Sequence, residues 1–574
     1  MVGRRVLFFS PNAGIWQHAE PESFLTVWLK QSGYCVRYLT CSGVFNEYCT
    51  TMTAHGLQPD AAEANRNEVC ALCRESAHGL KKDLNLPGLE LTNFFRPEDE
   101  QKVREMTSRL KDSELYGFQL DGLPLGKIAS YEPILMFKKL DLTFEGEQAA
   151  VLRQSLRNCV RTVLALRRLF EEWMPDLVIT YSPQYGTTGS AAALAMQKGI
   201  SVYFIEGSAS NAERYAALRV WDWKSQGLLN PGLRWFHRAD KLITVESIER
   251  VDSHLRSLLA ADTFAVYSPP GKKGFSLRNH FNIKGSGPVI LMALSSSDEA
   301  FAAVAIDAFP RTKIGGRVFQ NQREWVAYML SYAKEHPDQS IIIRLHPRDV
   351  PNKRERQESE QFRLWHEMLS RDLPPNVRIN WPSENISIYN LFPEIDVLTT
   401  GWSATAIEAM SLGIPVVTYD NLLPSYPSEI HFTGSSVEEY ASNLNRALAS
   451  GWTLENTVNA YRWMALNLSL GTIRIPYAPA LDRAFDRSIG RLFRGPLQRF
   501  RYRAQRIFRS FRTAWYRSDR KVFLRMIAQN EETIYAARPT SGISERRLRS
   551  TIASVAAGNR RRYEELGSIL PDLR

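Results

Sequence analysis

The chain has no long apolar run. None of its stretches approaches the roughly 18 uninterrupted apolar residues that a membrane span needs. The opening MVGRRVLFFSPNAG has a basic start, but its apolar run stops at Pro11 and Asn12. It reads as a first strand and not as a signal peptide, so the chain is expected in the cytoplasm. Internal repeats and low-complexity tracts are also missing. Cysteine is scarce: there are six, at positions 35, 41, 49, 70, 73 and 159. A chain read as cytosolic is expected to keep them reduced, which argues against a disulfide framework. Cys41, Cys49 and the pair Cys70/Cys73 (CALC) offer four thiolates to a structural zinc, because a two-residue gap suits tetrahedral sulfur ligation. The alternative is a set of ordinary free thiols.

Net charge is nearly absent from most of the chain. The formal total is +11, and residues 491–530 alone hold twelve Lys/Arg against one Asp, so the remainder is close to neutral. The overall pI therefore gives no argument for nucleic-acid binding, which is not expected.

With 574 residues, 44% hydrophobic, the chain is too long for one core and predicts two large domains plus an extra element. RVLFFS (5–10) reads as a strand, 11–20 as a loop, 21–32 as an amphipathic helix ending at Gly33, and YCVRYLT (34–40) as a second strand. This is a βαβ unit, which implies a parallel sheet. Residues from about 50 to 130 read as a helical insertion. The pattern resumes with LVITYS (177–182), a helix stopped at Gly199, and ISVYFIEG (200–207). A second α/β series starts at PVILMAL (288–294) after the joint NIKGSG. The expected division is 1–285, 286–480 and a basic helical extension over 481–574. The fold class is α/β, with two facing Rossmann-like domains.

Three polar turns concentrate the chemistry. In TTGWSATAIEAMSLGIPVV (399–417), Ser403 is placed as a helix N-cap, where first-turn N–H groups lack partners and the dipole favours anions. Ser403 and Thr405 add hydroxyls, Gly401 is expected to let backbone approach a ligand, and Glu408 points back along its helix toward the same zone. Two carboxylate oxygens suit a ribose diol; the plain alternative is a capped helix with a solvated Glu. SIIIRLHPRD (340–349) is a buried strand ended by His346-Pro347, which puts His346 and Arg344 at a carboxyl edge. There a His can donate to phosphate; a strand-ending surface His is the competing reading. LSSSDE (294–299) brings Ser295 and Ser296 to the same edge, either as ligand donors or as a simple cap.

With these residues in view, the chain resembles the GT-B glycosyltransferases, and among them bacterial capsule polysaccharide biosynthesis enzymes. RLHPRD and TTGWSATAIEAMSLGIPVVTYD carry the resemblance, supported by FFSPNAGIWQHAEPE, over roughly 4–475. It implies that His346, Ser403 and Thr405 bind the phosphates of a nucleotide-sugar donor and Glu408 its ribose. Retaining members of the largest GT-B family have a second Glu eight residues earlier, where this chain has Thr400. With no Asp-x-Asp present either, the resemblance implies an inverting enzyme that needs no metal or other cofactor for catalysis. Its base would come from the amino-terminal domain: His18, Glu20 or Glu206, each with a structural alternative. The expected acceptor is a growing capsule or surface glycan, lipid-linked. Rival readings are a nucleotide-sugar 2-epimerase, a glycerophosphotransferase and a non-catalytic scaffold.

From Pro496, residues Phe500, Ile507, Phe508, Phe511 and Trp515 recur at helical spacing among Arg499, Arg503, Arg506, Arg509 and Arg512. An aromatic face beside an Arg-rich face suits an anionic membrane surface over 496–529, peripheral on the inner membrane. Packing of that apolar face on the domains is the alternative, with RNA binding third.

Overall fold

The computed structural model describes residues 3–223, 232–261, 266–352, 357–475 and 516–574. Two sheets organise it. The first contains β1 (Arg5–Phe9), β2 (Cys35–Thr40), β3 (Gly88–Glu90), β4 (Leu177–Tyr181), β5 (Ser201–Gly207) and β6 (Ala217–Asp222). The second contains β7 (Val289–Ala293), β8 (Ser340–Arg344), β9 (Val377–Asn380), β10 (Val397–Thr400), β11 (Val416–Thr418) and β12 (Phe432–Thr433). A last strand, β13 (Thr472–Arg474), returns to the first sheet.

Strand order in the second sheet is β9-β8-β7-β10-β11-β12 with every pairing parallel. That is the doubly wound order, in which the chain starts in the middle and winds outward both ways, leaving a crevice at the switch between β7 and β10. The first sheet has the same core, β3-β2-β1-β4-β5, extended by antiparallel β6 and by β13. Strands such as VILMA and SIIIR are apolar along almost their whole length because helices cover both faces. Together the two sheets make the GT-B architecture.

The register positions the second-domain turns. Thr400 pairs with Ala293, and Ala293 pairs with Arg344. The carboxyl ends of β7, β8 and β10 are therefore level, and the three polar turns leave from one rim.

Several expectations are corrected. The stretch 50–130 is not only a helical insertion, because it supplies β3, which pairs with β2; three residues are too short to leave a periodic signal. The loop expected over 11–20 ends early, since the helix Trp16–Gln31 already contains His18 and Glu20, with Pro21 inside it. The span 286–480 does not stay with the second sheet: Ile473 pairs with Leu218 of β6 in the first.

The C-terminal segment is not a free tail. Helix Arg517–Gln529 buries Val522, Phe523, Met526 and Ile527 in the first domain's core, with Phe523 6.1 Å from the Trp28 ring. Thr533 bridges to Trp221 of β6. Helix Glu545–Glu565 then buries Leu548, Ile552, Ala556 and Tyr563, and Arg562 grips Asp252 at 2.7 and 3.0 Å. The apolar face of 517–529, expected to meet a membrane, is thus occupied by the protein itself. The remainder of that proposed surface, 496–515, lies outside the described residues. Among the described residues no helix is long and apolar enough to cross a membrane.

The domains also touch directly. The buried ammonium of Lys138 donates to the carbonyl oxygens of Arg348 (2.5 Å) and Gln357 (2.6 Å), and Tyr116 donates to that of Ala305 (2.7 Å).

Candidate functional site

A cavity of about 360 Å³ opens at the level rim of β7, β8 and β10, within the size range of small-molecule sites. Ser295, Ser296, Arg344, His346, Ser403, Thr405 and Glu408 all line it. Three separate sequence turns thereby converge, and Asn211, Leu258 and Tyr267 line the cavity with them.

His346 ends its strand with the ring turned so that Nδ1 accepts the Arg348 N–H at 3.2 Å. The accepting nitrogen is unprotonated, so the neutral ring carries its proton on Nε2. Burial, then the charges of Arg348, Arg344 and Lys138, lower its pKa to about 3. His346 is therefore a neutral N–H donor at physiological pH, and the Tyr267 ring meets it edge to face at 5.7 Å.

Arg344 is buried, donates to the Ile386 carbonyl (3.0 Å) and to Asn380, and has its pKa lowered by burial to about 10. It keeps its charge and is the one cation among the described lining residues. Arg348 is turned away: its guanidinium pairs with Asp298 and lies 3.5 Å from Glu299.

The two serines of the first turn divide. Gln322 holds the Ser295 backbone from both sides at 2.8 Å, while its hydroxyl is buried without a hydrogen-bond partner among the described residues. A buried polar atom at a cavity wall with no partner is a group awaiting one. Ser296 is different, because its hydroxyl is engaged by Asp298 and Arg348 (3.2 Å). It lines the cavity without a donor to offer.

In the third turn the helix is Thr405–Met410 and its cap is Ala404, not Ser403. Ser403 Oγ lies 2.8 Å from Thr405 Oγ1 and accepts the Thr405 N–H at 3.3 Å, so the two hydroxyls form one polar edge. Gly401 is also corrected: a Cβ there would lie 3.0 Å from the Tyr419 ring, so its smallness admits a neighbouring side chain and not a ligand. Glu408 accepts from the Tyr389 hydroxyl at 3.1 Å, and burial raises its pKa to about 7.

The proposed bases stand apart from this cavity. Glu20 is fully buried within its helix, out of reach of any acceptor. The His18 ring stacks on Tyr181 at 3.8 Å, and burial followed by the Arg214 charge lowers its pKa to about 3. Glu206 is half-buried at the carboxyl end of β5. Burial raises its pKa, opposed by Arg219, a Ser182 hydrogen bond and Arg214. Burial raises the pKa of the nearby Tyr131 phenol, with Tyr185, Glu299 and Glu206 adding to the shift.

Sequence reasoning missed Tyr267, Tyr389 and Trp402 as lining residues. No periodicity marks them: Tyr267 lies outside regular elements, Tyr389 in the one-turn helix Ile388–Leu391, and Trp402 in the 399–417 turn itself. As for the expected zinc ligands, among the described residues no three His, Cys, Asp or Glu side chains already stand as a metal-ligand set.

No family model matches the sequence, and no curated protein sequence matches it. Among solved structures, the chain is similar to the KpsC β-Kdo 2,4 transferase of Thermosulfurimonas dismutans, at 14% identity over 54% of this chain and 83% of that one, TM-score 0.32. It is also similar to the spinosyn rhamnosyltransferase SpnG, at 13% identity over 84% and 100%, TM-score 0.24. A third is the Methanocaldococcus jannaschii UDP-GlcNAc 2-epimerase in complex with UDP-GlcNAc and UDP, at 13% identity over 81% and 98%, TM-score 0.28. The two-sheet architecture stands on strand order, independently of these overlaps.

Proposed function

We propose that the chain is a glycosyltransferase that binds a nucleotide-sugar donor in the 360 Å³ cavity. The observation that carries this reading is the convergence of His346, Arg344, Ser295, Ser403, Thr405 and Glu408 on one cavity. An N–H, three hydroxyls and a buried cation suit a phosphate group, and a carboxylate suits the adjoining ribose diol.

In the transfer, the acceptor hydroxyl attacks the anomeric carbon as that carbon's bond to the phosphate oxygen breaks. Arg344 and the His346 Nε2–H would face the charge gathering on the leaving phosphate. A base takes the acceptor's proton. Of the three candidates Glu206 fits best, because burial moves its pKa toward the working range. His18 holds its basicity too low.

Inversion is the preferred outcome. Thr400 is fully buried, and its hydroxyl donates to the Ala293 carbonyl at 2.7 Å, so no carboxylate stands where a retaining enzyme would engage the sugar. The expected acceptor is a capsule or surface glycan on a lipid carrier, reached by an enzyme held to an anionic membrane through residues 496–515. Catalysis on this reading needs no metal ion.

The test is thermal shift against CMP, UDP, GDP and TDP at millimolar concentration. A nucleotide at a hundred times its dissociation constant adds about 2.7 kcal/mol, an upward shift of a few degrees that Glu408→Ala should diminish. Absence of stabilisation by every nucleotide would remove the donor-site assignment.

A further inference from the structure

A second small pocket lies in the first domain, beside the end of β2. Cys41, Cys49, Cys70 and Cys73 all line it, together with Gly43, Thr51 and Arg74. Its free volume, about 20 Å³, is on the scale of a single water or ion. These four thiols come from three places: the end of β2, the start of helix Thr50–Ala54, and one face of helix Glu63–Asp83. Cys35, which is exposed, and Cys159 are not among its lining residues.

We infer that Cys41, Cys49, Cys70 and Cys73 form a zinc site that closes on the ion as it binds. The sulfurs share a pocket but do not yet stand at ligand spacing, so binding draws them inward. Thiolate sulfur selects zinc over hard cations, and four sulfurs satisfy tetrahedral coordination.

The surroundings suit ionised sulfur. Gly14 N–H donates to Cys73 Sγ at 3.2 Å, and the N–H groups of Gly43 and Phe45 point at the Cys41 thiol. Backbone donors of this kind favour the anionic form. Zinc binding replaces the four thiol protons, which pass to solvent, and leaves a tetrathiolate centre of net charge −2. Arg74 and Arg66 lie close enough to favour the ionised form of Cys70 and to offset that charge.

The site would add a further tie between segments that already meet through His55 and the Gly14 carbonyl (3.2 Å) and through the Tyr48, Met52 and Val69 cluster. Gly14 sits in the loop after β1, and a Cβ there would lie 2.5 Å from Thr51 and 3.2 Å from Cys73. The ion would pin this loop, and through it the helix carrying His18, to the 41–83 segment. This inference does not rest on the donor-site reading and fails or stands separately from it.

The experiment is metal analysis of the full-length protein purified under reducing conditions, with and without added zinc. One zinc per chain is expected, falling to near zero in Cys70→Ser/Cys73→Ser and unchanged in Cys35→Ser. Should the double variant fail to fold, cobalt titration of the reduced, metal-stripped protein decides, since four thiolates give intense sulfur-to-metal absorption saturating at one equivalent. Less than half an equivalent of zinc after supplementation, zinc that persists in the double variant, or no such absorption overturns the site.

Discussion

His346 Nδ1 accepts the backbone N–H of Arg348 at 3.2 Å, and this one bond leaves the proton of the neutral, cavity-lining ring on Nε2. Because Pro347 follows, the chain turns within two residues, and the Arg348 amide folds back on the ring. The cavity thereby gains a neutral donor without any dependence on His protonation.

His346→Ala is expected to weaken nucleotide binding by roughly 10- to 100-fold, the range for a hydrogen bond to a charged partner. His346→Gln keeps an N–H and should lose less. Calorimetric titration separates the two; equal affinity in wild type and Ala variant would show that the ring does not touch the ligand.

Glu408 ties binding to pH. Its carboxyl, raised from the usual 4.5 to about 7 by burial, holds a proton in the folded chain that the unfolded chain releases. Stability therefore falls as pH rises from about 4.5 to about 7, and the deficit persists above that window. Glu408→Gln removes the penalty: it should stabilise the free protein by up to about 3 kcal/mol at pH 8 and have no effect at pH 4. Nucleotide affinity should respond in the opposite sense, rising through pH 7 as the carboxylate forms and becoming flat in the variant. Denaturant unfolding and titrations at pH 5, 6, 7 and 8 check both slopes.

Gly401→Ala distinguishes packing from ligand contact. The added methyl meets the Tyr419 ring at 3.0 Å, and overpacking of this kind costs about 1–3 kcal/mol. Unfolding should register that loss while nucleotide affinity stays within twofold. A large affinity change at unchanged stability would return Gly401 to the binding surface.

The second domain was largely legible in the sequence, because its elements announce themselves locally. An apolar strand, a polar turn and a Gly- or Pro-bounded helix recur, and their level register follows from parallel pairing. Ser403, His346 and Ser295 could thus be assigned to one edge from pattern alone. What the pattern could not supply was orientation. Ser296 is held by Asp298 and also by Arg348, a partner 52 residues away, while the Ser295 hydroxyl has neither. Tyr267 reaches the cavity from irregular chain and Tyr389 from a helix of one turn, too short to leave a periodic signal. Strand β3 and the return of β13 were hidden for a similar reason: short edge strands are fixed by neighbours, not by their own composition.

The amphipathic tail shows how tertiary packing overrides a surface reading, and it changes how the membrane proposal should be tested. Phe523 is completely buried against the first domain, so Phe523→Ala should cost about 3–5 kcal/mol. Deleting everything after 490 would strip that core, along with the helix that buries Tyr563, and loss of liposome binding would then report unfolding. Charge substitution avoids the problem. Changing Arg499, Arg503, Arg506 and Arg509 to Ser leaves the buried residues in place and removes four cations, each worth about 1 kcal/mol near an anionic bilayer. Sedimentation with phosphatidylserine vesicles at low salt should show binding by wild type, little by the variant, and an unchanged unfolding midpoint. Equal binding by both would assign the basic stretch a role other than membrane attachment.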